Sequence, residues 1–224
     1  IVFTETTSNV WHSKAIHSID TLMASLELSE MRDKESIGPE ILLTFGGMVI
    51  SKKIKSFLRI YAPTHHWHVD EKKAYNTYYR LDQHFIQSPN SFVRELYARG
   101  AEYQENGYHD LVFSLFENFK AYGKSYLKKL PFSDLDVFYR IAQLLPNGIQ
   151  LQIANSSSIR YAQLMDWPET TKFFCNRGTS GIDGSTATAV GAAQIRNEPT
   201  ILITGDLSFF YDINGLWNDY IPRN

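Results

Sequence analysis

The residues with the clearest chemical potential lie toward the C-terminal end. There Asn176-Arg177-Gly178-Thr179-Ser180-Gly181-Ile182-Asp183-Gly184-Ser185 runs into a stretch of small residues, Ala187, Ala189, Gly191, Ala192 and Ala193. Glycines at 178, 181 and 184 permit positive φ and close backbone approach, and the helix expected after them offers N–H groups to an anion. The same pattern also serves as a plain strand-to-helix turn. Beyond it the apolar run Ile201-Leu202-Ile203 delivers Thr204-Gly205-Asp206-Leu207-Ser208. A carboxylate at a strand end can hold Mg²⁺ against a diphosphate; alternatively, Asp206 caps the next helix. A third patch is Asn155-Ser156 followed by Arg160. The guanidinium fork suits a carboxylate, and the alternative is a capped helix carrying a solvated Arg160.

Short strands and amphipathic helices in alternation must position these groups. Ile1-Val2-Phe3 reads as a strand already under way without an initiator Met, so the N-terminus looks cut from something longer, and Thr4 to Asn9 as a loop leaving that strand. A short helix near Asp20–Leu26 and an exposed loop over Ser29–Glu40 follow. Ile41 to Phe45, ended by Gly46-Gly47, has the pattern of a buried parallel strand. Ser51 is the expected N-cap of a helix that turns Ile54, Phe57, Leu58 and Tyr61 inward. His66 to Val69 reads as the next strand and Ser91–Arg99 as a short helix. Tyr108–Leu130 reads as a long helix with Leu111, Leu115, Phe119, Tyr122 and Tyr126 inward. Pro131 stops it, and Ser133 caps another helix that Pro146-Asn147-Gly148 ends. Strand 149–154, helix 157–165, strand 172–175, helix 185–196 and strand 200–204 complete two α/β units in series. The expected fold is therefore α/β with two Rossmann-like parallel-sheet domains, 1–130 and 131–224.

Composition narrows the function classes. Among 224 residues, 43% are hydrophobic and 21% charged, an ordinary folded composition, and the formal charge of -2 leaves no broad basic field for nucleic acid or anionic lipid. Neither a nucleic acid nor a membrane is an expected partner. The single cysteine, Cys175, rules out an internal disulfide, reads as a small core residue and suits a cytoplasmic location. No apolar run reaches the roughly 20 residues of a membrane helix. His65, His66, His68 and Asp70 invite a metal site, but the pattern favours a surface strand bearing polar histidines. Tyr75, Tyr78 and Tyr79 are expected to pack rather than bind bases.

Taken together, Asn176 to Asn214 with Gly215-Leu216, and Asn155-Ser156 with Arg160, resemble 2-succinyl-5-enolpyruvyl-6-hydroxy-3-cyclohexene-1-carboxylate synthase, the MenD family of thiamin-diphosphate enzymes. Thiamin-diphosphate enzymes in general open this motif with Gly-Asp-Gly; Leu207 in third place is similar to this family. The resemblance implies thiamin diphosphate and Mg²⁺ (or Mn²⁺) as cofactors, with Ile182, Gly205, Asp206 and Leu207 on the cofactor and Asp206 on the metal. The alternative for Ile182 is core packing. It further implies Ser156, Arg160 and Arg177 on carboxylates of substrate or intermediate. Ser51-Lys52-Lys53 is similar to the family's Ser-Lys-Arg, placing Lys52 and Lys53 at the active site, although Lys53 lacks the fork of an Arg. For Lys53 the alternative is a solvated first helical turn.

The implied reaction, a step of menaquinone biosynthesis, decarboxylates 2-oxoglutarate on thiamin diphosphate and adds the succinyl-semialdehyde unit to isochorismate. The resemblance implies a homodimer or homotetramer in which a preceding pyrimidine-binding domain from the partner subunit carries the activating Glu. It places a second metal ligand beyond Asn224, with Asn214 and Asn218 too near Asp206 to substitute, so these residues alone are expected to be inactive. The alternatives are part of a different thiamin-diphosphate enzyme, a 2-oxo acid decarboxylase or acetolactate synthase, and a non-catalytic nucleotide-binding α/β module.

Overall fold

The computed structural model describes residues 1–28, 34–100 and 107–221. Its elements are, in chain order, β1 (Val2–Phe3), β2 (Ala15–Ile16), α1 (Ile19–Leu28), β3 (Ile41–Phe45), α2 (Lys52–Ile60), β4 (His65–Val69), β5 (Leu81–Phe85), α3 (Pro89–Ala98), α4 (Tyr108–Leu127), α5 (Asp134–Leu144), β6 (Gln150–Ile153), α6 (Ser157–Ala162), β7 (Lys172–Phe174), α7 (Ser185–Ile195), β8 (Thr200–Ile203) and α8 (Asp206–Tyr211). Short 3₁₀ turns stand at Thr6–Ser8, Lys34–Ile37 and Ile213–Leu216. The chain is α/β, and every strand pairing among the described residues is parallel. It divides into two compact units: Ile1 with Asp20–Lys120, and Val2–Ile19 with Ala121–Asn224. Of the loop expected at Ser29–Glu40, residues 29–33 lie outside the described residues, and Ile37 is buried rather than exposed.

In the first unit the strand order is β3-β4-β5. The apolar run of β3 forms its strand at the sheet edge, with Ile41 and Phe45 exposed, instead of the buried position expected. Ser51 caps α2 as its type requires: its Oγ accepts from the Ile54 N–H at 3.1 Å, and Ile54 and Leu58 are buried below. On α4 the buried residues are Val112 and Phe116, while Leu111, Tyr122 and Tyr126 are exposed. The apolar seam thus runs one residue further round the helix than expected.

The histidines of β4 are buried, not displayed on a surface strand. His66 is 1% and His68 8% exposed, because β3 and β5 flank β4 on both sides. Buried polar rings require partners, and the Thr44 Oγ1 lies 2.8 Å from both His66 Nε2 and His68 Nδ1. The same hydroxyl also reaches the Trp67 carbonyl at 3.4 Å, so Thr44 joins both rings to the strand backbone. Among the described residues no group of three or more His, Cys, Asp or Glu is placed to hold a metal ion. His65 faces outward and pairs with Asp82 at 2.8 Å. Tyr78 packs edge-on against His66, centroids 5.2 Å apart, and Tyr79 and Tyr75 lie under Arg59 and Lys73.

In the second unit the order is β7-β6-β8, with all of β6 buried. The connection from β7 through α7 to β8 crosses β6, so the loops after all three strands leave the same sheet edge. Edge strand β7 is covered by a side chain: Asn9 Nδ2 donates to the Phe173 carbonyl at 2.9 Å, and Asn9 Oδ1 accepts from the Phe173 N–H at 2.6 Å. The amide imitates one rung of a neighbouring strand, and Asn9 adopts the left-handed conformation (φ 52) that Asn tolerates. Trp11 and Trp167 pack against the Phe173 ring at 6.0 and 5.5 Å. This is why Val2–Ile19 groups with the C-terminal unit.

Two outcomes follow from these contacts. Burial lowers the pKa of His66, reinforced by His68 and opposed by Asp82; burial likewise lowers that of His68, opposed by Asp70 and reinforced by His84. The unfolded chain therefore binds more protons below about pH 6.5, and stability present above that pH is lost as the pH falls through the depressed folded values, by at most about 1.4 kcal/mol per pH unit for each histidine. Protection factors of amides in β3–β5, corrected for the pH dependence of intrinsic exchange, should fall below that pH, and less so in a His66→Gln/His68→Gln chain; equal slopes would refute the assignment. Asn9→Asp sets a carboxylate oxygen against the Phe173 carbonyl and should cost about 1–3 kcal/mol locally. Proteolysis within residues 2–19 should then quicken about tenfold, and an unchanged rate would show that Asn9 does not hold the segment.

Candidate functional site

The C-terminal edge of the β7-β6-β8 sheet gathers the loop after β6 (154–156), the loop after β7 (175–184) and the turn after β8 (204–205). In doubly wound sheets, ligands bind at such an edge where the chain order reverses. Asn155 is buried and joins two of these loops. Its Nδ2 donates to the carbonyls of Asn176 (2.8 Å) and Gly181 (2.7 Å), spanning both ends of the glycine loop. Its Oδ1 accepts from Arg177 Nη1 at 2.7 Å and from Cys175 Sγ at 3.4 Å. Burial pushes the half-buried Cys175 thiol up to about 11, with the Arg177 charge acting the other way.

Arg177 is consequently fixed at one nitrogen, while its Nε is buried with no partner among the described residues. An orphaned buried donor on a cation calls for an acceptor, and a carboxylate is the natural one. Ser156, next to Asn155, takes φ 72 and ψ −127, a conformation costly for a side-chain-bearing residue, and is exposed without capping α6. The Ser-cap alternative therefore does not hold. Arg160, one turn along α6, is exposed. Ile182 is 37% exposed, so it stands at the surface of the glycine loop and not in the core.

At the β8 end, Asp206 begins α8 with its carboxylate exposed; its Oδ1 accepts from the Leu207 N–H at 2.8 Å. Gly205 and Leu207 beside it are exposed as well. An outward carboxylate at a strand end is the hard oxygen donor that Mg²⁺ or Mn²⁺ selects, and here it fits as one ligand. The α7 N-terminus is less open than its sequence suggests. Gly184 (φ 76) caps it, but the Ala187 N–H already donates to the buried Asp212 Oδ2 at 2.8 Å. The hydroxyls of Ser185 and Thr186, both buried, have no partner among the described residues, so they remain donors that an oxyanion could use.

Lys52 and Lys53 lie in the other unit, in the first turn of α2, both exposed. Lys53 forms an ion pair with Glu27. With Lys34 they line a groove of about 410 Å³ whose apolar side includes Met23, Phe57 and Tyr61. Asn155, Ser208 and Asp212 stand inside the motifs quoted from the sequence, which assign none of them its structural role. Asn155 was signalled by its place immediately after a buried strand and Asp212 by nothing local.

No family model matches the sequence. Over all of its residues the chain is 49% identical to the 2-succinyl-5-enolpyruvyl-6-hydroxy-3-cyclohexene-1-carboxylate synthase of Flavobacterium johnsoniae, aligning with 40% of that protein. It is also 49% identical, over 226 residues, to the synthase of the same name from Christiangramia forsetii, covering all of this chain and 39% of that one. The like-named Porphyromonas gingivalis protein is 32% identical over 230 residues, which cover 99% of this chain and 39% of that protein. The chain thus spans about 40% of the length of the curated relatives it matches.

The packing at this site makes a direct stability test. A Cβ on Gly215 would lie 2.8 Å from the Ala187 nitrogen and 2.9 Å from its Cα, backbone atoms that cannot swing aside. Gly215→Ala should therefore destabilise the second unit by about 1–3 kcal/mol, with its thermal midpoint as the readout. An unchanged midpoint would mean that the 3₁₀ turn and α7 are not in close contact.

Proposed function

As a chain that belongs to the 2-succinyl-5-enolpyruvyl-6-hydroxy-3-cyclohexene-1-carboxylate synthase family, it carries, we propose, the part of such an enzyme that receives the diphosphate and metal of thiamin diphosphate together with substrate carboxylates. The observation that carries this reading is Arg177: held by Asn155 at one nitrogen and bearing a buried unpartnered Nε, it is preorganised for a carboxylate. In this reading 131–224 is the diphosphate-binding domain and 1–130 the central domain, although residues 2–19 and 121–130 group with the C-terminal unit.

Asp206 contributes one oxygen to Mg²⁺ or Mn²⁺, while Gly205 and Leu207 frame it. Ser185 and Thr186 offer hydroxyls toward phosphate oxygens. Ile182 presents an apolar surface to the cofactor, excluding water beside it. Arg177, Ser156 and Arg160 bind and orient the carboxylates of 2-oxoglutarate and isochorismate, and Lys52 and Lys53 are assigned to substrate binding by the resemblance to the family alone. Thiamin diphosphate, when bound, supplies the carbanion and the electron sink that decarboxylation and carbon–carbon bond formation need. The exposed Leu207, Phe210, Tyr211, Trp217 and Tyr220 support a further polypeptide surface against α8, in keeping with a partner subunit. No helix among the described residues is long and apolar enough to cross a membrane, and a cytoplasmic synthase is the setting this reading takes.

Calorimetric titration with thiamin diphosphate and Mg²⁺ tests the cofactor assignment. With one metal ligand among these residues only weak binding is expected, and it should weaken further, at least tenfold, in Asp206→Ala. Identical heats for the two proteins, or a melting-temperature rise with nucleotides in place of thiamin diphosphate, would overturn it.

A further inference from the structure

Helix α8, which starts with Asp206, is anchored by polar contacts. It has six residues, too few to persist alone, and Leu207, Phe210 and Tyr211 are exposed by 63%, 67% and 70%. Its apolar surface therefore does little to hold it. The buried positions are Ser208 and the C-cap residue Asp212, spaced i and i+4. Ser208 Oγ donates to the Ile182 carbonyl in the glycine loop, and Asp212 Oδ2 accepts from the Ala187 N–H at 2.8 Å in the first turn of α7. A carboxylate at that helix end also gains from the aligned peptide dipoles.

We propose that Ser208 and Asp212 are positioning residues that clamp α8, and with it Asp206, against the glycine loop and the start of α7. The clamp reads across both ends of the site: Ser208 lies two residues from the metal-holding carboxylate, and its partner Ile182 lies in the loop that carries Arg177. Gly215 completes it, since its lack of a side chain lets the following turn reach Ala187. The inference rests on the reading of Asp206 as a metal ligand.

The test uses Mn²⁺ alone, as a paramagnetic probe on the amide NMR signals of the chain. In the parent protein, bound Mn²⁺ should broaden the amides of 205–207 and 181–184 together, and Asp206→Asn should abolish both effects. Ser208→Ala and Asp212→Ala should keep the broadening at 205–207 while lowering the relaxation at 181–184 at least threefold. Asp212→Asn, which retains an acceptor for the Ala187 N–H, should behave as the parent. Should Asp212→Ala lose its folded spectrum, Ser208→Ala decides. Unchanged relaxation at 181–184 in the clamp variants would overturn the clamp alone. No Asp206-dependent broadening in the parent would overturn the metal reading, and the inference with it.

Discussion

The second unit depends on one buried amide. Asn155 stands where β6 ends, and there the chain must stop pairing with β7 and β8 while its neighbours' loops turn over the same sheet edge. A buried Asn side chain has two N–H donors and a carbonyl with two lone pairs, and here all four capacities are used. Two carbonyls of the glycine loop are satisfied without a strand, so the loop closes on the sheet while keeping the irregular backbone its glycines allow. The bond to Arg177 then follows from the first two, because the oxygen of the amide faces away from the carbonyls its nitrogen serves.

The same logic of polar side chains standing in for missing backbone partners recurs across the molecule. Asn9 closes the open edge of β7, Asp212 occupies an N–H that α7 has no internal partner for, and Thr44 joins two rings in the centre of the first sheet. Each solves a problem that parallel sheets of three short strands create: many strand and helix ends for little apolar area. A net hydrogen bond contributes only about 0.5–1.5 kcal/mol, but an orphaned buried group costs about 1–3, so these residues matter chiefly for the penalty they remove.

That distinction also explains what was legible in the sequence. Elements with a local signal were plain: the apolar runs of β3, β6 and β8, the Ser51 and Ser133 caps, and the glycine turn before α7. Strand β5, Leu-Asp-Gln-His-Phe, has no apolar alternation and pairs only because β4 lies beside it. The burial of His66 and His68 depends on β4 being central, which strand order determines and local sequence does not. On α4 two apolar lines a residue apart were both available, and tertiary packing chose Val112 and Phe116. At the site, Arg177, Ser156 and Asp206 were visible as motif residues. Asn9, Ser208 and Asp212 make their contacts across 164, 26 and 25 residues, separations at which no periodicity reports.

The four cations expected at the site are not equivalent, and their surroundings rank them. Lys53 sits in an exposed pair with Glu27, of a kind worth about 0–1 kcal/mol, so the pair neither blocks nor preorganises it. Lys52 and Arg160 are exposed, and long side chains such as theirs must lose rotamer freedom of up to about 2 kcal/mol to grip a ligand. Arg177 has already lost that freedom to Asn155, and its buried Nε carries a desolvation cost of the same order, recovered only when an acceptor arrives. A carboxylate at Arg177 therefore relieves a penalty in addition to gaining an ion pair, whereas at the other three it gains only the pair. Among these cations Arg177 is accordingly the one best preorganised for an anion.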